Sequence, residues 1–234
     1  MTTTPAPAYT ETVVSFMRQF RGCRGYVQLD IRTLGGLGHQ GVGLRPDACS
    51  SLPNVLLEAL EGEYPVRIAP VTSDGGRPAD LAFAYALFTP PTMIDVQSRC
   101  VVEPEAPARI ATALAAFPLR CSFLIDGGSE VVAAWALREP LAVDRDEARA
   151  TALLARLAEA LGADVQPTKD LTLTLPLCGI VRNFGMRLPV PYVEIIDVDP
   201  ERRYRVEQIE AASRLRTSTD RIETTPRKRG GTRS

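Results

Sequence analysis

The chain has 234 residues, 45% hydrophobic and 24% charged, an ordinary globular composition with length for one large domain or two small ones. No apolar run approaches the roughly 18 uncharged residues of a spanning helix, which excludes a membrane segment. The formal net charge of −1 is unevenly placed: residues 201–234 hold ten Lys+Arg against five Asp+Glu, net +5, which leaves 17 against 23, net −6, for residues 1–200.

Taken in chain order, residues 1–9 are Thr/Pro/Ala-rich and read as disordered. Over 10–20, Val13, Phe16, Met17 and Phe20 fall at helical spacing behind Thr10 as an N-cap. Val27, Leu29 and Ile31 alternate with polar neighbours, as a half-buried strand does. The Gly35–Gly41 stretch reads as a hairpin connection into a short strand, Val42–Leu44. A helix at about 52–61 and an apolar strand over Val66–Val71 follow, and TSDGGRPAD at 72–80 is a loop by composition. Thr92–Val96 reads as a buried strand ending in an acid, and an alanine-rich helix fills about 105–116. Ser122–Asp126 is another buried strand, closed by Gly127-Gly128-Ser129, with Val131–Leu137 as its antiparallel partner. The clearest helix covers 146–161, with Gly162 as its C-terminal cap. A last strand at 192–197 leads into a helix at about 201–214, and from 217 onward composition points to disorder. Strands interspersed with helices and joined by short links indicate an α+β fold with a mixed or mostly antiparallel sheet.

Most single residues carry little chemistry. The five cysteines are odd in number and show no CxxC spacing, which argues against a disulfide framework or zinc site and, with no secretory signal at the start, for a cytoplasmic setting. Cys178 has no histidine partner in sequence, so thiol catalysis is unsupported. His39 is the lone histidine and sits in the glycine-rich hairpin, which lacks the form of a phosphate loop. Trp135 reads as a core aromatic. Asp95 and Asp126 both end apolar strands: such acids either cap turns or converge to hold Mg²⁺ or Mn²⁺, and spacing leaves both open. Only Lys169 and Lys228 among the 27 cations are lysine, which matches GC-rich coding as well as phosphate contact.

The order of segments resembles the archaeo-eukaryotic primase superfamily, in particular the primase-polymerases of plasmids and phages, from about residue 12 to residue 215. RGYVQLDIR leads to Val66–Val71, which looks like that family's "GvaPR" strand. Met93-Ile94-Asp95-Val96-Gln97 stands where the family has its "DxD" strand. Residues 123–140 match its strand, glycine turn and "YWxLxeP" stretch, ending here in Trp135-Ala-Leu-Arg-Glu-Pro140. Leu161-Gly-Ala-Asp164 matches "LGgD". Leu175-Pro176, Asn183, Pro191, Val193 and Asp199-Pro-Glu-Arg-Arg-Tyr204 fit the closing "lRlPGTxN…P…V…DpxxrY". The resemblance implies a primase-polymerase-like fold over 10–215, with an N-terminal α/β part at about 10–90, an RRM-like part at about 91–215, and a basic tail at 216–234. It also implies a role in DNA replication, with Mg²⁺ or Mn²⁺ as the cofactor of an active form.

Departures fall on the chemical positions. The second DxD acid is Gln97, the family histidine falls on Val131 or Val132, and the arginine closing "GvaPR" falls on Val71 or Thr72. Asp95, Asp126 and Asp164 remain as acids, with Asp95 and Asp164 the candidate metal ligands and Asp170 a possible substitute. Loss of a bridging ligand and a phosphate contact costs orders of magnitude in rate. The expectation is a primase fold with a degenerate site that binds nucleic acid, nucleotide or a replication partner. Arg182, Asn183, Arg187, Arg227, Lys228 and Arg229 are its candidate phosphate contacts. Two alternatives stand beside it: an active divergent enzyme using Asp95, Asp126, Glu130 and Asp164, and a protein-interaction module that does not meet DNA.

Overall fold

The computed structural model describes residues 7–32, 39–50, 54–61, 64–89, 92–94, 100–102, 105–127, 130–178 and 193–223. Its helices are α1 (Pro7–Met17), α2 (Asn54–Glu61), α3 (Ala106–Ala116), α4 (Glu147–Leu161), α5 (Val165–Thr168) and α6 (Val206–Glu223), with 3-10 turns at Arg18–Phe20 and Pro46–Ser50. Its strands are β1 (Val27–Arg32), β2 (His39–Leu44), β3 (Val66–Ile68), β4 (Val71–Asp74), β5 (Arg77–Phe88), β6 (Thr92–Ile94), β7 (Cys100–Val102), β8 (Phe123–Asp126), β9 (Val131–Ala142), β10 (Leu175–Cys178), β11 (Glu194–Val198) and β12 (Arg203–Tyr204). The fold is α+β with largely antiparallel sheets. The smaller main sheet runs β10-β3-β1-β2; the larger runs β11-β8-β9-β5-β4, with β12 pairing parallel to β9. β6 and β7 form a separate antiparallel pair.

The chain first passes from the smaller sheet to the larger between β3 and β4. Val66–Val71, one strand by sequence, is two: β3 lies in the smaller sheet, β4 in the larger, and Pro70 breaks the ladder between them because proline has no N–H to donate. The sheets also meet at Tyr26 and Ser73, whose backbones exchange hydrogen bonds of 2.8 and 2.9 Å. Gly25 makes this approach possible. Its φ of +74° lies in the left-handed region, and an added Cβ would collide with the Ser73 carbonyl.

β5 is the centre of the larger sheet and was not apparent from sequence. Its 12 residues include the continuous run Leu81–Phe88, buried on both faces, so it carries no period of two. The expected loop at 72–80 is instead β4, a Gly75-Gly76 turn with both φ values positive, and the start of β5. On one face of this sheet Phe83 stacks on Phe16 of α1 at 4.6 Å and meets Phe20 and Phe123 edge-on at 5.3 and 5.9 Å. The opposite face holds Trp135, fully buried, edge-on to Phe117 at 5.5 Å and donating its indole N–H to the Leu119 carbonyl.

α4 forms as its caps dictate: Asp146 accepts from the Arg149 N–H, and Gly162 takes the left-handed conformation at φ 65°. Both expected disordered ends differ in extent. α1 begins at Pro7, since proline suits a first helical turn. α6 begins later than read and runs to Glu223, through residues whose composition suggested disorder. It is anchored by buried Ile209 and Ala212 and by Glu207 and Glu210, both paired to Arg149 of α4.

Candidate functional site

Three expected acids share one end of the larger sheet. Phe88, the last residue of β5, pairs with Val131 of β9, and Val131 pairs with Asp126, the last residue of β8. Glu130 immediately precedes β9. Asp164 joins them because its N–H donates to the Leu87 carbonyl at 2.8 Å. The register also sets Glu194 of β11 opposite Asp126, a neighbour that sequence reading did not pick out. Asp95 follows β6 and lies outside the described residues, as do Gln97, Arg182, Asn183, Arg187, Arg227, Lys228 and Arg229.

Gathering at one end does not make these acids one constellation. Asp164 accepts the Thr89 N–H at 2.5 Å and so ties the α4–α5 turn to the end of β5. Asp170 accepts from the Thr172 backbone and hydroxyl at 2.9 and 2.7 Å, a local turn. Glu130 is held by Arg67, whose Nη1 lies 2.5 Å from its Oε1. Among the described residues no three His, Cys, Asp or Glu side chains come together as a metal-holding group. Mg²⁺ and Mn²⁺ need several oxygen ligands converging on one point, and Asp95, the first candidate ligand, lies outside the described residues.

Arg67 is the residue the sequence reading missed. It sits in β3 opposite Asp30 of β1 and Pro176 of β10, and reaches across to the larger sheet's β8–β9 turn. Besides Glu130 it holds the Thr174 hydroxyl at 3.0 Å and donates to the Thr174 carbonyl. The available signal was a charge inside a short apolar strand, Val66-Arg67-Ile68, which needs a partner once half-buried. Gly127 completes this junction: its N–H closes the turn onto the Glu130 carbonyl at 2.8 Å, and a Cβ there would come within 2.8 Å of Pro176. Gly127 thus lies against β10 of the smaller sheet.

The two positions that replace the family histidine are occupied by packing. Val132 is fully buried and lies, by register, with Ile125 and Leu87 on the face that carries Phe83 and Phe123. Val131 points to the other face and is partly buried against the core. A cavity of about 320 Å³ opens beside that end of the sheet, floored by Phe88, Ile110 and Leu161 and rimmed by Arg109 and Asp164. Three of the cysteines offer no nucleophile: burial pushes the Cys23 and Cys178 thiols up to about 12 and Cys49 up to about 11, away from the reactive thiolate.

The motifs that carried the resemblance do structural work. Ser122 Oγ accepts the Ala136 N–H at 2.9 Å and donates to the Arg202 carbonyl at 2.5 Å. Arg202 pairs with Asp199 at 2.8 Å and donates to the Cys121 carbonyl at 2.5 Å, while Tyr204 donates to the Arg120 carbonyl at 2.7 Å. Asp199-Pro-Glu-Arg-Arg-Tyr204 therefore laces β12 to the start of β8.

No family model and no curated protein sequence matches the chain. Solved structures do. The archaeo-eukaryotic primase (AEP) domain of the cyanophage S-2L primase-polymerase superposes with a TM-score of 0.58 at 12% identity, covering 86% of this chain and 96% of that one. The primase RepB' superposes with a TM-score of 0.53, also at 12% identity, covering 94% of this chain and 69% of that one. The chain has the archaeo-eukaryotic primase-polymerase fold. Among the described residues, no helix is long and apolar enough to cross a membrane.

Proposed function

We propose that this chain is a primase-polymerase-fold module of DNA replication that binds nucleic acid, nucleotide or a replication partner and does not polymerise. The observation that carries this reading is the Arg67–Glu130 junction. An acid available to an active divergent site is neutralised by an internal guanidinium, three residues after Gly127, which lies against Pro176 of the other sheet. Val131 and Val132, the two positions on which the family histidine falls, support the same reading, since a valine side chain cannot hydrogen-bond a phosphate.

Residues 10–215 form the working domain in this reading, and the two parts drawn at about residue 90 are interlaced, because β4 and β5 join the larger sheet and β10 joins the smaller. Arg182, Asn183, Arg187, Arg227, Lys228 and Arg229 supply the phosphate contacts, in a cytoplasmic setting. A gel-shift series on single-stranded and duplex DNA and RNA tests it. Binding that weakens steeply with salt is the expected result, from counterion release at each phosphate contact. Absence of binding at low salt to any nucleic acid or nucleotide would leave the protein-interaction module as the reading.

One observation favours an active divergent enzyme: Asp126, Glu130 and Asp164 share one end of the sheet. That reading requires Glu130 to leave Arg67 and two metals to be held by the acids together with Asp95.

A further inference from the structure

Four strands form the outer edges of the two main sheets, and three of them carry a device against pairing with another chain. β10 has Pro176 and a register shift between Pro176 and Cys178. β11 has Glu194 and Asp197 and a shift between Ile195 and Asp197. β4 ends in Asp74, shifts between Val71 and Ser73, and is bridged by Tyr26. Charges, prolines, bulges and covering segments are the usual means by which edge strands avoid association.

Among the described residues, β2 has none of these. His39-Gln-Gly-Val-Gly-Leu44 contains no Asp, Glu, Lys, Arg or Pro, and its ladder with β1 runs in register from Arg32↔His39 to Val27↔Leu44 without a shift. No strand pairs with its other side among the described residues. Val42 and Leu44 lie partly buried against the core, while Gly41 and Gly43, which alternate with them, are exposed. A strand laid along this edge would satisfy its backbone groups and cover Val42 and Leu44.

We propose that β2 is the seam of a homodimer, pairing antiparallel with β2 of a second copy to make one continuous sheet from the two smaller sheets. Charge selects a second copy as the occupant. At an isologous two-fold contact residues near the axis meet their own copies, so any charged residue there would repel itself. An uncharged strand escapes that penalty, and its Val42/Leu44 alternation supplies the apolar row its copy needs.

Sedimentation velocity of the full chain across the micromolar range tests this, alongside the Gly41→Lys/Gly43→Lys double variant. Both glycines have room: a Cβ at Gly41 meets nothing within 4 Å, and at Gly43 only Gln28 and Tyr26 side chains at 3.6 Å or more. The expected result is a mass rising toward twice 25.4 kDa in the parent chain, and dimerisation weakened about tenfold or more in the variant with its far-UV circular dichroism unchanged. A mass that stays at 25.4 kDa throughout overturns the proposal, and so does a dimer that the two lysines leave intact.

Discussion

Arg67 and Glu130 join the two sheets through a single ion pair, Nη1 to Oε1 at 2.5 Å, with both side chains largely withdrawn from solvent at 23% and 14% exposure. The pair is specific because Arg67 is gripped from a second side by Thr174. Removing either partner leaves a partly buried charge without its ion-pair partner. Glu130→Ala and Arg67→Ala are each expected to lose about 1–3 kcal/mol in urea unfolding. A double-mutant cycle should show coupling, the double variant losing clearly less than the sum of the singles.

Gly25 sets the corner where the sheets meet. Alanine there must adopt a left-handed φ and press its Cβ on the Ser73 carbonyl, so Gly25→Ala should cost about 2–4 kcal/mol. Gly75→Ala, also at positive φ but with open space around it, should cost only the conformational part, about 1–2 kcal/mol. Equal losses for the two variants would show that the close approach at Gly25 does not matter.

The signature residues should behave as fold residues. Trp135→Ala empties a fully buried site and removes the partner of the Leu119 carbonyl, an expected loss of about 3–5 kcal/mol. Tyr204→Phe removes one hydrogen bond at a more accessible position and should cost about 0.5–1.5 kcal/mol. Thermal melts of the two variants check the order.

Stability should fall on the alkaline side. Burial holds the Cys23, Cys49 and Cys178 thiols neutral in the folded chain, raising them from 9.0 to about 12, 11 and 12. The unfolded chain then releases these protons first as pH rises through 9, so unfolding becomes easier with each step toward 12. Below pH 9 these groups contribute no slope. Urea midpoints between pH 7 and 11 should be level at first and then decline, and thiol-reactive dyes should label these residues far faster after unfolding than before.

The legible parts of this fold were those specified locally. α4 is legible because the leucine stripe and Gly162 lie within one window. The β8–β9 pairing was read because two apolar runs flank a glycine turn. β5 was not apparent, because a strand buried on both faces has no alternation to read. The break at Pro70 was hidden by the apolar run around it. Of the site, the residues at 97, 131 and 132 stand out in sequence only because they depart from the pattern the chain resembles. The Arg67–Glu130 junction was not, since it joins residues far apart in sequence and no local rule couples them. Motif order identified the fold because many of those motif residues, Trp135, Arg202 and Tyr204 among them, hold it together.

Primer synthesis on a single-stranded template, with nucleotides and either Mg²⁺ or Mn²⁺, tests the central claim most directly. The purified chain is expected to give no template-dependent extension, and Asp95→Ala is expected to change nothing. Template-dependent product that Asp95→Ala abolishes would contradict the account and establish an active enzyme with a rearranged metal site.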